Sequence, residues 1–363
     1  MKNVKTIPVF VISTFGHCGI DWLHSLIDSH KEVLIIPPLS FFRKVDTLKK
    51  KKIYLENYLN PKIVTDIITK ELFKKTEYKS YNILSKHENK SEFKKHINNY
   101  LIMEKEPNIE KRLFFAIHYA FAKINKINLD RIKIIVAHEH VPWQCYQYHK
   151  HFNSKFVFIV RDPRATIAGS LRGFQRHKNI PINFQIDINL SFIISAQKFF
   201  QKMSKKKILI LKNEEMHKSL RPEMKKLCKW LGIKFNNSLL RSTFLGKKWI
   251  GESGYLSKVD LIKPYPRNYY KPANIEKRWR SFLDKNTILI IETIFEKIMI
   301  QNKYKFDNKL NITSRISAYF SLLFRFNEFK NVFSFILGFV KNVIRRNFII
   351  FFPSLSRKIF DIS

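Results

Sequence analysis

Three adjacent ionisable side chains, His138, Glu139 and His140, follow an apolar run and precede Val141-Pro142-Trp143. A histidine titrates near neutral pH, and either an imidazole or a carboxylate can accept the proton of an attacking hydroxyl or amine. The cluster therefore predicts a general base. The alternative, that these side chains only hydrogen-bond neighbouring loops, stays open at this point.

A glycine loop follows the apolar run Val9 to Ile12 and opens a segment compatible with a helix. The loop reads Ser13-Thr14-Phe15-Gly16-His17-Cys18-Gly19-Ile20-Asp21-Trp22. Glycines let the backbone turn tightly, so that N–H groups and a helix N-terminus can reach a phosphate. No Gly-Lys-Ser/Thr closes the loop, which separates it from the P-loop of nucleoside triphosphate enzymes. Any tight turn also uses glycine, so the loop needs support from a second motif.

That second motif is Arg161-Asp162-Pro163, at the end of the apolar run Phe156 to Val160. Proline suits the first turn of a helix, where its missing N–H costs nothing. Arg161 at the strand end and Ser170 in the helix can hydrogen-bond one phosphate group, because the guanidinium offers a bidentate fork. The alternative is that Arg161 pairs with Asp162 as part of a helix cap.

The elements that position these motifs are short apolar runs that alternate with longer stretches compatible with helices. Parallel neighbours need long connections, so this alternation predicts a parallel sheet with crossover helices. In such sheets ligands bind at the carboxyl ends of the strands. The predicted strands are Val9 to Ile12, Ile132 to Val136, Phe156 to Val160 and Ile208 to Leu211.

The chain is strongly basic, with 67 Lys and Arg against 29 Asp and Glu and a formal net charge of +38 over 363 residues. This charge favours anionic partners. A lysine-rich bias of the whole genome would also explain the charge, and we give the two explanations equal weight. No nucleic-acid-binding motif accompanies the charge, so we expect no specific nucleic acid. Three scattered cysteines, Cys18, Cys145 and Cys228, predict a reducing compartment and no structural metal.

From about Arg315 onward the composition shifts to phenylalanine and isoleucine with basic residues. The apolar run Val332 to Val340 is far below the ~20 residues of a spanning helix, although a basic amphipathic helix can lie on an anionic membrane. Packing against the domain or in an oligomer is the alternative. The run Ile7 to Ile12 is too short for a signal peptide or anchor, so we expect a cytoplasmic protein, peripheral at the inner membrane face through its tail.

The two anion-binding motifs together resemble those of the sulfotransferases that use 3'-phosphoadenosine-5'-phosphosulfate (PAPS). The family pattern Pro-Arg/Lys-Ser-Gly-Thr-x-Trp-Leu is similar to His17-Cys18-Gly19-Ile20-Asp21-Trp22-Leu23, and Arg-Asp/Asn-Pro is similar to Arg161-Asp162-Pro163. Met224 to Gly232 and Arg278-Trp279-Arg280 resemble two later family segments. His17 stands where the family has Arg or Lys, Ile20 replaces the threonine hydroxyl, and Ser170 falls one position late.

The resemblance implies a role for each motif. The first loop, including Ser13, Gly16, Cys18 and Gly19, would bind the phosphosulfate, with His17 neutralising or hydrogen-bonding the leaving phosphate. Arg161 and Ser170 would bind the 3'-phosphate, and Arg278 and Trp279 would shape the nucleotide loop. His140-Val141-Pro142 matches the family's His-x-Pro base segment, which ranks His140 first as base, Glu139 second and His138 third.

We therefore predict an α/β fold, a three-layer P-loop-like architecture with a central parallel sheet flanked by helices, and a C-terminal helical tail. The catalytic domain would cover residues 1–310, with a helical insert on the acceptor side at about 44–126, and the tail would cover 311–363. The predicted activity is sulfuryl transfer from PAPS to a small-molecule or glycan acceptor without a metal. A phosphoryl-transfer enzyme, a degenerate sulfotransferase and a non-catalytic nucleic-acid or membrane-binding protein are the alternatives.

Overall fold

Five parallel strands form one sheet at the centre of the protein. The computed structural model describes residues 3–50, 62–63, 65–66, 69, 90–174, 182–248 and 275–323. The strands are β1 (Val9–Thr14), β2 (Val33–Ile35), β3 (Ile134–Glu139), β4 (Lys155–Val160) and β5 (Ile208–Lys212). Their order across the sheet is β2-β3-β1-β4-β5. The sheet and its flanking helices confirm the predicted α/β fold class.

Helices connect the strands and cover the sheet. They are α1 (Ile20–Ile27), α2 (Phe41–Lys50), α3 (Lys90–Met103), α4 (Ile109–Ile124), α5 (Cys145–Phe152), α6 (Pro163–Phe174), α7 (Ile182–Lys202), α8 (Asn213–Lys218), α9 (Leu220–Leu231), α10 (Lys285–Ile294), α11 (Glu296–Gln301) and α12 (Ile312–Leu323). A small antiparallel pair, β6 (Thr243–Phe244) and β7 (Lys247–Lys248), lies apart from the main sheet.

The apolar runs predicted four of the five strands of the main sheet, and one prediction was displaced. The third strand begins at Ile134 rather than Ile132, because the Ile132 N–H still closes the preceding turn onto Leu129. It then continues through His138 and Glu139, which pair with β1 up to Ser13. The base cluster was expected after this strand, whereas its first two residues lie inside it.

Parallel pairing brings the sequence motifs to one edge of the sheet. β1 is the middle strand, and its end lies beside the end of β3 through Ser13 and beside β4 through Thr14. The glycine loop leaves β1, Arg161 follows β4, and His140 follows β3. The predicted site residues therefore start from three neighbouring strand ends.

Two helices of the predicted insert, α3 and α4, pack closely against each other, and Phe93, Ile97 and Tyr100 bury the apolar face of α3. The rest of the insert, between 51 and 89, lies mostly outside the described residues. The tail is described only in α12, where Ala318 is buried, and residues 324–363 with the run Val332 to Val340 lie outside the described part. Within the described ranges no helix has the length and apolar composition needed to span a bilayer. The domain boundary at 310 stays a prediction.

Candidate active site

Two glycines with positive φ shape the loop after β1. Gly16 has φ +124 and Gly19, the N-cap of α1, has φ +95, a conformation that side-chain-bearing residues rarely adopt. The Cys18 N–H donates to the Gly16 carbonyl at 2.7 Å, and the Thr14 hydroxyl donates to the same carbonyl at 2.6 Å. The loop therefore curls on itself before α1 begins at Ile20, as the sequence predicted.

Three neighbouring helices hold this loop in place. A Cβ on Gly16 would lie 2.1 Å from Asn189 Oδ1 on α7, and a Cβ on Gly19 would lie 2.4 Å from Asn213 Nδ2 at the start of α8. Cys18 Sγ lies 3.5 Å from the Thr166 hydroxyl on α6. Glycine is therefore required at both positions by close packing as well as by φ.

Arg161 lies half-buried beside the loop. Its Nη1 donates to the His17 carbonyl at 3.4 Å and would lie 3.6 Å from a Cβ on Gly169. Ser170 is 1% exposed. Its hydroxyl and Arg161 Nε are buried atoms with no hydrogen-bond partner among the described residues. The structure thus brings the first loop and the second anion-binding motif together.

Asp162 pairs with Arg164 rather than with Arg161. One carboxylate oxygen accepts the Arg164 backbone N–H at 2.8 Å, which caps α6, and the other accepts from Arg164 Nη2 at 2.7 Å. Pro163 is the first residue of α6, as predicted. The helix cap is therefore built without Arg161, whose guanidinium points to the loop.

Arg164 is the centre of a buried ionic network. Its Nη1 donates to Glu292 of α10 at 2.5 Å, and its Nη2 donates to the Lys305 carbonyl at 2.8 Å. Glu292 also accepts the Asp307 backbone N–H at 2.7 Å. The network joins the helix after β4 to the C-terminal part of the described chain.

Trp279, predicted to shape the nucleotide loop, is 2% exposed, and its ring lies 4.3 Å from the Arg164 guanidinium carbon. Its faces therefore pack inside the protein, against the ionic network. The side chain of Arg278 lies outside the described part of the chain. A nucleotide-binding role for both residues stays a prediction.

A chain of three histidines crosses the edge of the sheet. His24 Nδ1 lies 3.1 Å from His138 Nδ1, and His138 Nε2 lies 3.0 Å from His140 Nε2. The His140 side chain is 42% exposed, whereas that of His138 is 1% exposed. Burial and the charge of His140 hold the pKa of His138 well below its usual range, and burial lowers the pKa of His24 to about 3. His140 is the member of this chain that solvent or an acceptor can reach.

Glu139 points into the protein instead of the cleft. It is fully buried, and its Oε1 accepts the Val141 N–H at 3.0 Å. Burial raises the pKa of this carboxyl to about 8. At neutral pH the side chain is therefore largely protonated, a state in which it cannot accept a further proton.

The other predicted loop residues divide into buried and accessible ones. Ser13 and Ile20 are buried, and Trp22 stacks on His217 with ring centroids 3.9 Å apart. His17 is exposed, and desolvation by the neighbouring protein, followed by the charges of His140 and Arg161, lowers its pKa to about 4. His17 is therefore neutral at pH 7 in the protein alone.

Sequence reasoning missed Asn213 and Glu214, which support the site from the end of β5. Glu214 accepts the Asp162 backbone N–H at 2.9 Å, and its second oxygen accepts the Tyr304 hydroxyl at 3.2 Å. The strand-end rule that led to His138–His140 also points to these two residues, since one residue separates them from the end of the fourth predicted strand. His24 of α1 contacts the histidine cluster through His138.

The comparisons with known proteins agree with this geometry. The sulfotransferase domain family matches residues 8–302. The sulfotransferase domain from the curacin biosynthetic pathway is 12% identical, has a TM-score of 0.51, and the alignment covers 83% of this chain and 99% of that chain. The sulfotransferase domain from the Synechococcus PCC 7002 olefin synthase has 13% identity, a TM-score of 0.42 and coverages of 86% and 94%. Mouse sulfotransferase SULT7A1, solved with PAP, has 12% identity, a TM-score of 0.41 and coverages of 88% and 92%.

A comparison with curated proteins found no match. The family match nevertheless runs from the residue before β1 to the residue after α11, and so includes the glycine loop, the histidine cluster and Arg161. The curacin-pathway domain has the same fold over nearly its whole length. This chain belongs to the sulfotransferase family.

Proposed function

We propose that this sulfotransferase transfers a sulfuryl group from PAPS to a hydroxyl or amine of a carbohydrate or glycolipid, with His140 as the general base. One observation carries the proposal: the glycine loop, Arg161 and His140 lie together at the carboxyl edge of β1, β3 and β4. A site for an anionic donor therefore borders an accessible imidazole. Family membership supports the reaction class, and the acceptor class is our inference from charge.

The residues of the site fit a donor with two anionic groups. Arg161 Nε and the Ser170 hydroxyl are buried and lack partners among the described residues, and a phosphate bound by both residues would supply the missing hydrogen bonds. The backbone N–H groups of the loop and the N-terminus of α1 suit a second anion. PAPS supplies the transferable sulfuryl group and a 3'-phosphate that distinguishes it from ATP.

The role of each side chain follows from its surroundings. The exposed imidazole of His140 takes the proton of the acceptor hydroxyl or amine as the new bond to sulfur forms and the bond from sulfur to the donor phosphate breaks. Loop N–H groups and His17 stabilise the negative charge left on that phosphate. An anion beside His17 raises its pKa, so the residue can donate a hydrogen bond or carry a proton when the donor is bound.

The acceptor class and the membrane contact rest on charge. A net charge of +38 attracts anionic glycans and anionic lipid headgroups. We therefore propose a sugar or lipid-linked sugar as acceptor, with the enzyme peripheral at an anionic membrane face. The proposed cytoplasmic location rests instead on the three free cysteines, which suit a reducing compartment. Sulfation of such acceptors in preference to steroid-like alcohols would support this class, whereas the reverse preference would exclude it.

Calorimetric titration separates the donor classes. We expect micromolar binding of 3',5'-adenosine bisphosphate and little binding of ATP with magnesium, because the loop lacks the Gly-Lys-Ser/Thr of a triphosphate site. Preference for ATP would favour a phosphoryl-transfer enzyme. Absence of binding to either nucleotide would favour a degenerate scaffold.

Substitution of His140 tests the base. His140→Ala should lower turnover by about 100-fold or more while nucleotide binding is retained. His96→Ala is the matched control, since His96 lies in a surface pair with Glu92 on α3. Full activity of His140→Ala would reject His140 as the base.

A further inference from the structure

Three polar atoms from two separate elements converge beside the glycine loop. His138 Nε2 and His140 Nε2 are 3.0 Å apart, and Asp21 Oδ1 lies 3.5 Å from the first nitrogen and 3.7 Å from the second. Asp21 Oδ1 is buried and accepts no hydrogen bond from the described part of the chain. Two imidazole nitrogens and a carboxylate oxygen thus face one small space.

The dimensions of this space match a transition-metal site. In the plane of the three atoms, the point equidistant from them lies about 2.0 Å from each, so an ion slightly above that plane has bonds close to the 2.0–2.1 Å of Zn–N. A fourth, tetrahedral position then remains open on the side away from the three ligands. The separations therefore agree with those expected around a bound ion.

Regular structure carries two of the three ligands. His138 is a residue of β3, and Asp21 lies in the first turn of α1, two residues after the tightly packed Gly19. His140 lies in the bend directly after β3, where its Nε2 contacts His138 Nε2 at 3.0 Å. Ligands on a strand and a helix are better defined in position than ligands carried by a flexible loop.

A second histidine orients the buried ligand. Ligating histidines usually hydrogen-bond a neighbour through the other ring nitrogen, which fixes the tautomer and the ring orientation. His138 Nδ1 lies 3.1 Å from His24 Nδ1, so a proton on His138 Nδ1 donated to His24 leaves His138 Nε2 free to bind metal. His24 itself is 1% exposed and held in the core.

The ligand set selects the class of ion. Two imidazoles with one carboxylate suit Zn²⁺ and similar divalent transition metals, whereas Mg²⁺ and Ca²⁺ prefer sites built from oxygen ligands. We propose that Asp21, His138 and His140 form a Zn²⁺ site, and that an ion bound there suppresses sulfuryl transfer by lowering the basicity of the His140 imidazole. The binding stands on geometry alone, while the suppression rests on the proposed function of His140.

Direct titration of the metal-free full chain tests the binding without any substrate. We expect one equivalent of Co²⁺ to give the visible absorption of a tetrahedral complex, and Zn²⁺ to displace it. Asp21→Asn and His140→Ala should each weaken binding by about tenfold or more. His96→Ala, at a surface histidine–carboxylate pair, should bind like wild type. Circular dichroism of each variant shows whether it is folded.

Equal Co²⁺ affinity of the wild type and the folded Asp21→Asn variant would overturn the metal site. Loss of Co²⁺ binding in His96→Ala would overturn it as well. The proposed suppression of sulfuryl transfer is tested by activity. Zn²⁺ should inhibit the wild type, and Asp21→Asn should need at least about tenfold more Zn²⁺ to lose the same fraction of the rate that it has without zinc. Undiminished turnover of zinc-loaded wild type would overturn the suppression. Should no acceptor be sulfated at all, the proposed function fails while the Co²⁺ titration still decides the metal site.

Discussion

Replacing Arg164 by alanine should destabilise the protein more than any substitution at an exposed ion pair. Arg164 is 4% exposed and contacts Asp162, Glu292 and Asp307. Removal of the guanidinium leaves two carboxylates, Asp162 at 7% and Glu292 at 0% exposure, without their positive partner. A substitution that leaves a buried charge without its partner is one of the few kinds that strongly destabilise a protein.

The expected loss follows from burial. Removing one partner of a buried ion pair costs about 3–5 kcal/mol, and the guanidinium stack on Trp279 is lost as well. Arg164→Lys should cost less, because the ammonium keeps the charge but cannot reproduce the fork that contacts Asp162 and Glu292 together.

Urea unfolding followed by circular dichroism measures these losses. Arg280→Ala is the matched control, because Arg280 contacts the same Asp307 at 2.6 Å with a side chain that is 53% exposed. An exposed pair of this kind contributes at most about 1 kcal/mol. Adding Glu292→Gln to Arg164→Ala should restore part of the stability, since a neutral amide is easier to bury than an unpaired carboxylate.

A loss below about 1 kcal/mol for Arg164→Ala would refute the assignment of an ionic network. So would strictly additive effects of Arg164→Ala and Glu292→Gln, because residues in contact are expected to couple. A large loss with coupling would establish that Arg164 holds α6 against α10. The N-terminus of α6 lies next to Arg161, so donor affinity should fall in the same variant.

Three further predictions concern the site. Arg161→Ala should weaken calorimetric binding of 3',5'-adenosine bisphosphate by about 1.5–3 kcal/mol, and unchanged affinity would reject its anion-binding role. Gly19→Ala should abolish donor binding or folding, whereas Gly232→Ala, with φ +75 and open space around it, should cost only about 1–2 kcal/mol in urea unfolding. Because the raised pKa of Glu139 favours its protonated form in the folded state, the unfolding free energy of wild type relative to Glu139→Gln should fall as pH rises from 4.5 towards 8, whereas the buried histidines contribute to both proteins alike.

The apolar pattern predicts the apolar part of each strand and stops before polar strand ends. From Phe156 onward β4 is a continuous apolar run, whereas β1 continues through Ser13 and Thr14, beyond its predicted end at Ile12. β3 ends in His138 and Glu139, which hydropathy assigns to a loop although backbone pairing continues through them. Functional residues lie at such ends, so the apolar pattern is least informative where the site is built. β2, with three residues, is too short to recognise.

Local motifs locate the site, and distant contacts do not follow from them. The glycine loop and Arg161 are recognisable because each follows a predicted strand. Arg164 and Glu292 are separated by 128 positions, and no local pattern pairs two charges that far apart. For the same reason, the sequence does not predict that Asn213 packs on Gly19, since no local pattern indicates which glycine a distant asparagine will contact.

The departures from the family pattern change how the site acquires positive charge. A lysine or arginine in place of His17 would carry its charge at every physiological pH, whereas the pKa of His17 is lowered to about 4 before any anion binds. Arg161 and backbone N–H groups therefore supply the attraction between the loop and an incoming anionic donor. Because an anion raises the pKa of a nearby histidine, charge at His17 follows binding instead of preceding it. In the proposed mechanism, the loop thus places no permanent positive charge at position 17 beside His140, the imidazole proposed to accept a proton.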